Sequence, residues 1–91
     1  MHDDPRVIRL ASEDNVIVVT TTVEAGETLT IDGRPVVVAQ RVPLGHKLAA
    51  QPIQPGQKVF KYGAPIGSAM APIRPGDYVH THNLRSDYLP E

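Results

Sequence analysis

His80-Thr81-His82-Asn83 holds the residues of this chain best suited to chemistry. In a strand over 79–84, alternate side chains share a face, so His80 and His82 stand side by side with Cα atoms roughly 6.5–7 Å apart. Imidazole titrates near neutral pH and ligates metals, so the pair predicts proton transfer or cation binding. The same spacing also fits two exposed histidines on a strand edge, because two ligands do not complete a metal site.

Three further segments hold most of the remaining unusual polar residues: Asp14-Asn15, Gly45-His46-Lys47 and Lys61-Tyr62-Gly63. Each has a plain structural account. Lys47 and Lys61 fit solvated lysines, and Tyr62 a core-edge ring with its hydroxyl in water. His46 fits a turn cap, and Asp14-Asn15 a turn that starts a strand by hydrogen-bonding nearby backbone. Serine nucleophile elbows, dinucleotide fingerprints and zinc-type Cys/His spacings are missing. Gly63-Ala64-Pro65-Ile66-Gly67 carries a proline and precedes no helix, which argues against a phosphate cradle.

The elements that must position these groups are short. Nine prolines and seven glycines interrupt the chain so often that a three-turn helix scarcely fits between them. The runs between are rich in Val, Ile and Thr, as in Val16 to Thr22 and Val36-Val37-Val38-Ala39, and read as strands. Asp32-Gly33 predicts a tight primed hairpin turn. Ile53-Gln54-Pro55-Gly56-Gln57-Lys58-Val59 recurs as Ile73-Arg74-Pro75-Gly76-Asp77-Tyr78-Val79, with Val23-Glu24-Ala25-Gly26-Glu27-Thr28-Leu29 a looser copy. In that register Phe60-Lys61-Tyr62-Gly63 and His80-Thr81-His82-Asn83 are two polar strands leaving equivalent turns. The expectation is an all-β domain over residues 1–84, with 85–91 a C-terminal tail or linker.

The chain has 91 residues, net charge −1 and no cysteine. That length predicts one domain with a radius of gyration of about 12 Å and no deep cleft of its own. The balanced charge offers no footprint for nucleic acid or anionic membrane, and no apolar run is long enough to span a bilayer. Without cysteine neither a disulfide nor a thiolate metal site is available, and the acidic, polar start lacks signal-peptide character. These features predict a cytoplasmic protein.

Taken together, Asp14-Asn15-Val16, Gly45-His46-Lys47-Leu48-Ala49, Lys61-Tyr62-Gly63-Ala64-Pro65-Ile66-Gly67 and Val79-His80-Thr81-His82-Asn83-Leu84 resemble the small domain of the altronate/galactarate dehydratase family over roughly residues 6–84. The resemblance implies a SAF-type β-clip fold, either preceding a much larger domain or standing as a separate small subunit, as in the related sulfolactate sulfo-lyases. It implies a sugar-acid dehydratase, a hydro-lyase whose small subunit is inactive alone and shares a composite active site with a large subunit, with homo-oligomerisation open as well. It also implies a divalent metal, Fe2+ or similar. On this resemblance His80 and His82 become metal ligands or an acid/base pair, with Lys61, Tyr62 and His46 catalytic and Lys47, Asn83, Asp14 and Asn15 substrate-binding. The alternatives are a sulfo-lyase small subunit and a non-catalytic module that binds carbohydrate acids or directs assembly.

Overall fold

The computed structural model describes residues 3–87. Among these residues nine short strands run β1 (Val7–Ile8), β2 (Val16–Val19), β3 (Thr28–Ile31), β4 (Arg34–Val37), β5 (Lys47–Ala49), β6 (Lys58–Lys61), β7 (Ala64–Ala69), β8 (Tyr78–Val79) and β9 (Leu84–Arg85). No helix occurs among the described residues, so the all-β expectation holds. The Cα radius of gyration is 12.2 Å.

A central antiparallel sheet in the order β1-β2-β5-β8 lies between the β3-β4 hairpin and the sheet β6-β7-β9. The sequence of β2 explains this layering. Ile17 and Val19 turn to one face, joining Leu48 of β5 with Leu29 and Ile31 of β3 in one apolar cluster. Val16 turns to the other, joining Ala49, Val59 of β6, Ala69 of β7 and Val79 of β8 in a second cluster. An unbroken run of β-branched residues is what a strand covered on both faces needs.

Four turns of one kind carry the chain between layers. In 24–27, 43–46, 54–57 and 74–77 the fourth residue donates its amide to the first carbonyl, at 2.9–3.2 Å. The third residue is glycine with φ between 84° and 90°, the left-handed region that a type II turn demands there. The repeat seen in the sequence is therefore real, and the structure adds a fourth copy beginning at Val42. The copies pair: Val23 with Val42 and Ile53 with Ile73, each through reciprocal amide–carbonyl bonds.

Two primed hairpin turns complete the layout. Asp32-Gly33 has φ of 52° and 77°, as expected from its sequence, and Tyr62-Gly63 repeats the geometry at 59° and 72°. Both strand readings of the polar motifs need correction. β6 ends at Lys61, so Tyr62 and Gly63 form a hairpin turn rather than a continuing strand. β8 ends at Val79, and 80–83 is a turn leading into β9. Arg85 and Asp87, both within the expected tail, make contacts with the sheet β6-β7-β9. Ser68 of β7 pairs with Arg85, and Asp87 holds Lys58 at 2.5 Å; residues 88–91 of the expected tail lie outside the described residues.

Candidate functional site

Asp14 and Asn15 precede β2 and are almost fully buried. Asp14 accepts the amides of Ala11, Tyr62 and Gly63 at 3.1, 2.9 and 2.8 Å. Asn15 donates to the Lys58 carbonyl and accepts from the Phe60 amide, at 2.9 and 2.8 Å. Both side chains thus bind backbone and hold the β6 hairpin that presents Lys61 and Tyr62. Tyr62 sits in the left-handed region, a strain on the order of 1–3 kcal/mol for a bulky residue, and the buried carboxylate offsets it. Tyr62 itself is 68% exposed, with Lys61 Nζ 5.2 Å from its ring centroid.

His46 occupies the fourth position of the 43–46 turn. In the sister turns the fourth side chain, Glu27, Gln57 or Asp77, folds back to accept the amide of the first residue at 2.6–2.8 Å. Pro43 has no amide proton to offer, so the His46 ring is released for another partner. It turns to Tyr78 of β8, and His46 Nδ1 and the Tyr78 hydroxyl share a hydrogen bond of 2.5 Å.

His80 and His82 join this pair. The His80 ring lies nearly parallel to Tyr78, with centroids 5.4 Å apart and planes at 5°, and 5.4 Å from His46. His82 tilts against the far side of the group, 5.8 Å from Tyr78. The two histidines meet around Tyr78 because the backbone turns, not because they share a strand face. Asn83 makes that turn: buried, it accepts the His80 amide at 3.0 Å and donates to the Tyr78 carbonyl at 2.9 Å. An Asn side chain bonded in this way competes with the sheet ladder and ends β8.

Lys47 follows His46 directly, so strand alternation turns it to the opposite face of the central sheet, beside Ala49 and Val79. Half-burial lowers its pKa from the usual lysine value, and the charge of Lys61 lowers it further. The structure therefore gathers the candidate residues into two groups. His46, His80 and His82 surround Tyr78, while Lys47 comes under the charge of Lys61, which itself lies over the Tyr62 ring. No hydrogen bond or ring contact joins the groups among the described residues.

A family model described as the altronate/galactarate dehydratase SAF domain matches residues 5–87. The chain belongs to the altronate/galactarate dehydratase SAF-domain family. It is 40% identical over 80 residues to an altronate dehydratase of Escherichia coli (strain K12), covering 88% of this chain and 16% of that protein. Similarity to an altronate dehydratase of Bacillus subtilis is 34% over 80 residues, again 16% of that protein. Against (2R)-sulfolactate sulfo-lyase subunit alpha of Chromohalobacter salexigens it is 35% over 86 residues, covering 88% of this chain and 92% of that subunit. The chain thus spans about a sixth of the length of these dehydratases.

Among the described residues, the divalent metal implied by the resemblance finds no full donor set. No group of three His, Asp or Glu side chains able to hold a metal ion forms among the described residues. The paired His80 and His82 supply two imidazoles at most, and the Asp14 carboxylate is spent on three amides. Sequence reasoning missed Tyr78, the ring at the centre of the histidine group. Its signal was present: Leu48 lies in the unrecognised fourth repeat, and the strand leaving that turn pairs Leu48 with Tyr78.

Proposed function

We propose that this chain lends one wall of a composite active site to a larger polypeptide that dehydrates a sugar acid. The observation that carries this reading is the imidazole group around Tyr78. His80 and His82 are exposed, with no part of the described chain closing over them. A β-elimination needs a base for the proton α to the carboxylate and assistance for the hydroxyl that leaves from the neighbouring carbon. It also needs fixed positive charge for the dianion that develops between these events. The product enol then tautomerises to a 2-keto-3-deoxy acid.

His80 and His82, with His46 close to His80, supply imidazoles that can take up or donate a proton. Lys47 and Lys61 supply positive charge for the carboxylate, and bound anion would offset the burial and mutual repulsion that lower the Lys47 pKa. Tyr62 stands exposed at the rim and is suited to the leaving hydroxyl. Asp14, Asn15 and Asn83 serve substrate through the backbone they hold. Ligands for a divalent cation such as Fe2+ would come mainly from the large polypeptide.

A second reading makes sulfite the leaving group, favoured by the sulfo-lyase subunit that the chain matches over 92% of its length. A non-catalytic module that binds sugar acids is the third. Mixing the chain with its large partner and assaying keto-acid formation from hydroxy acids, and sulfite release from sulfolactate, separates all three. Activity on mixing that neither chain shows alone supports the enzyme readings, and the product distinguishes them. No gain on mixing leaves the binding module.

A further inference from the structure

An open cavity of about 650 Å3 lies between the β3-β4 hairpin and the segments at 50–52 and 74–75, away from every residue placed in the chemistry above. Its apolar surface includes Val36, Pro52 and Pro75, and its rim continues onto Val37, which is 61% exposed. Two guanidinium groups flank it, Arg34 at the start of β4 and Arg74 in the fourth turn. Gly76 lets these walls approach, since a Cβ there would stand 2.4 Å from the Val37 carbonyl oxygen.

Among the described residues, the two guanidinium groups on this cavity have no ion-pair partner. Arg6, Arg9 and Arg41 each pair with carboxylates. Arg34 and Arg74, both exposed, make no side-chain ion pair or hydrogen bond among the described residues. Asp32, the acid in the lining, is already held by Arg9 at 2.9 Å. Two cations with no ion-pair partner among the described residues, set beside apolar surface, complement a partner that brings carboxylates and apolar side chains together. A small anion would meet the arginines but leave Val37 and the prolines in water, whereas a polypeptide segment covers both and strengthens the ion pairs by excluding solvent.

We propose that this groove seats an extended acidic segment of the large polypeptide, with carboxylates meeting Arg34 and Arg74 and apolar side chains covering Val36 and Val37. The proposal rests on the reading that a large polypeptide completes the site. It adds where that polypeptide is held, on a surface separate from the chemistry.

Calorimetric titration of this chain with its large partner at low and moderate salt tests it. Charge reversal at both positions, Arg34→Glu with Arg74→Glu, is expected to weaken the complex at least about tenfold and to flatten its salt dependence. The milder Arg34→Gln with Arg74→Gln should weaken it less, with thermal melting of the free chain unchanged, and turnover at saturating partner should be retained. Unchanged affinity in both double variants overturns the proposal. So does a sedimentation experiment in which these variants instead dissociate a complex of two copies of this chain, or binding of free tartrate at these arginines without any effect on the partner. If affinity falls as expected while no hydroxy acid is converted, the docking surface stands and the dehydratase reading fails.

Discussion

Asp14 and Tyr62 lie 48 residues apart in sequence, yet the Asp14 carboxylate accepts the Tyr62 amide at 2.9 Å and fixes a left-handed turn that few bulky residues adopt. The first long strand and the Lys-Tyr-Gly hairpin are coupled at this point. Replacing Asp14 with Ala leaves three amides without their acceptor and is expected to cost about 2–4 kcal/mol. Urea denaturation measures the loss, and a change under about 0.5 kcal/mol would remove Asp14 from this role.

Tyr62 is the reciprocal case. Asn tolerates positive φ where Tyr does not, and Asn-Gly is the preferred pair for a primed turn. Tyr62→Asn should therefore raise stability by about 0.5–1 kcal/mol. If Tyr62 assists the leaving group, turnover of the assembled enzyme should fall in the same variant. Thermal melting and turnover moving in opposite directions would indicate strain retained for function.

Asn83 and the histidines it presents should separate in the same manner. Asn83→Ala removes both bonds that form the 80–83 turn and is expected to destabilise the chain by about 1–2 kcal/mol. His80→Ala and His82→Ala are surface changes, expected to stay within about 0.5 kcal/mol of the original stability. Turnover in the reconstituted enzyme should nonetheless drop at least about a hundredfold if either acts in acid/base catalysis. Near-normal turnover in both would sink that assignment.

Lys47 carries its charge into a half-buried site beside Lys61. Because its folded-state pKa lies below the unfolded value, the unfolded chain binds more protons between the two values, and stability rises with pH across that alkaline window. Lys47→Met removes the penalty. It should melt no lower than the original chain near neutral pH and lose the alkaline rise, while weakening retention of anionic substrate by the complex. Calorimetric melts at several pH values and a substrate titration check the two halves independently.

Acid should act at the other end of the fold. Hydrogen bonds from the Arg6 guanidinium hold the Asp4 carboxyl well below its usual range, with the Arg6 and Thr30 amides adding to the effect. A depressed carboxyl pKa contributes stability that is present above the unfolded value, about 3.9, and is lost as pH falls through the folded one. Asp4→Asn should lower stability at neutral pH and make it less sensitive to acid below about pH 4. Parallel acid-unfolding curves for the two proteins would exclude the contribution.

The sequence by itself determined the all-β class, the family and the turn chemistry, because these depend on local rules. Proline and glycine interrupt helices, Asp-Gly closes a primed turn, and Pro/Ala-Gly repeats set left-handed corners wherever they fall. Even the alternation of β2 carried the layering, since Val16 and Ile17 are apolar on both faces. Local rules failed at Tyr62 and at His80–Asn83, where distant or nonladder hydrogen bonds override strand propensity: Asp14 reaches the former across the fold, and Asn83 takes the latter out of the sheet. Only tertiary pairing decided that His46, freed by Pro43, meets Tyr78 and His80, while its neighbour Lys47 comes under the charge of Lys61. Strand periodicity states which side a residue takes, but which strands lie side by side follows from packing two cores against one sheet.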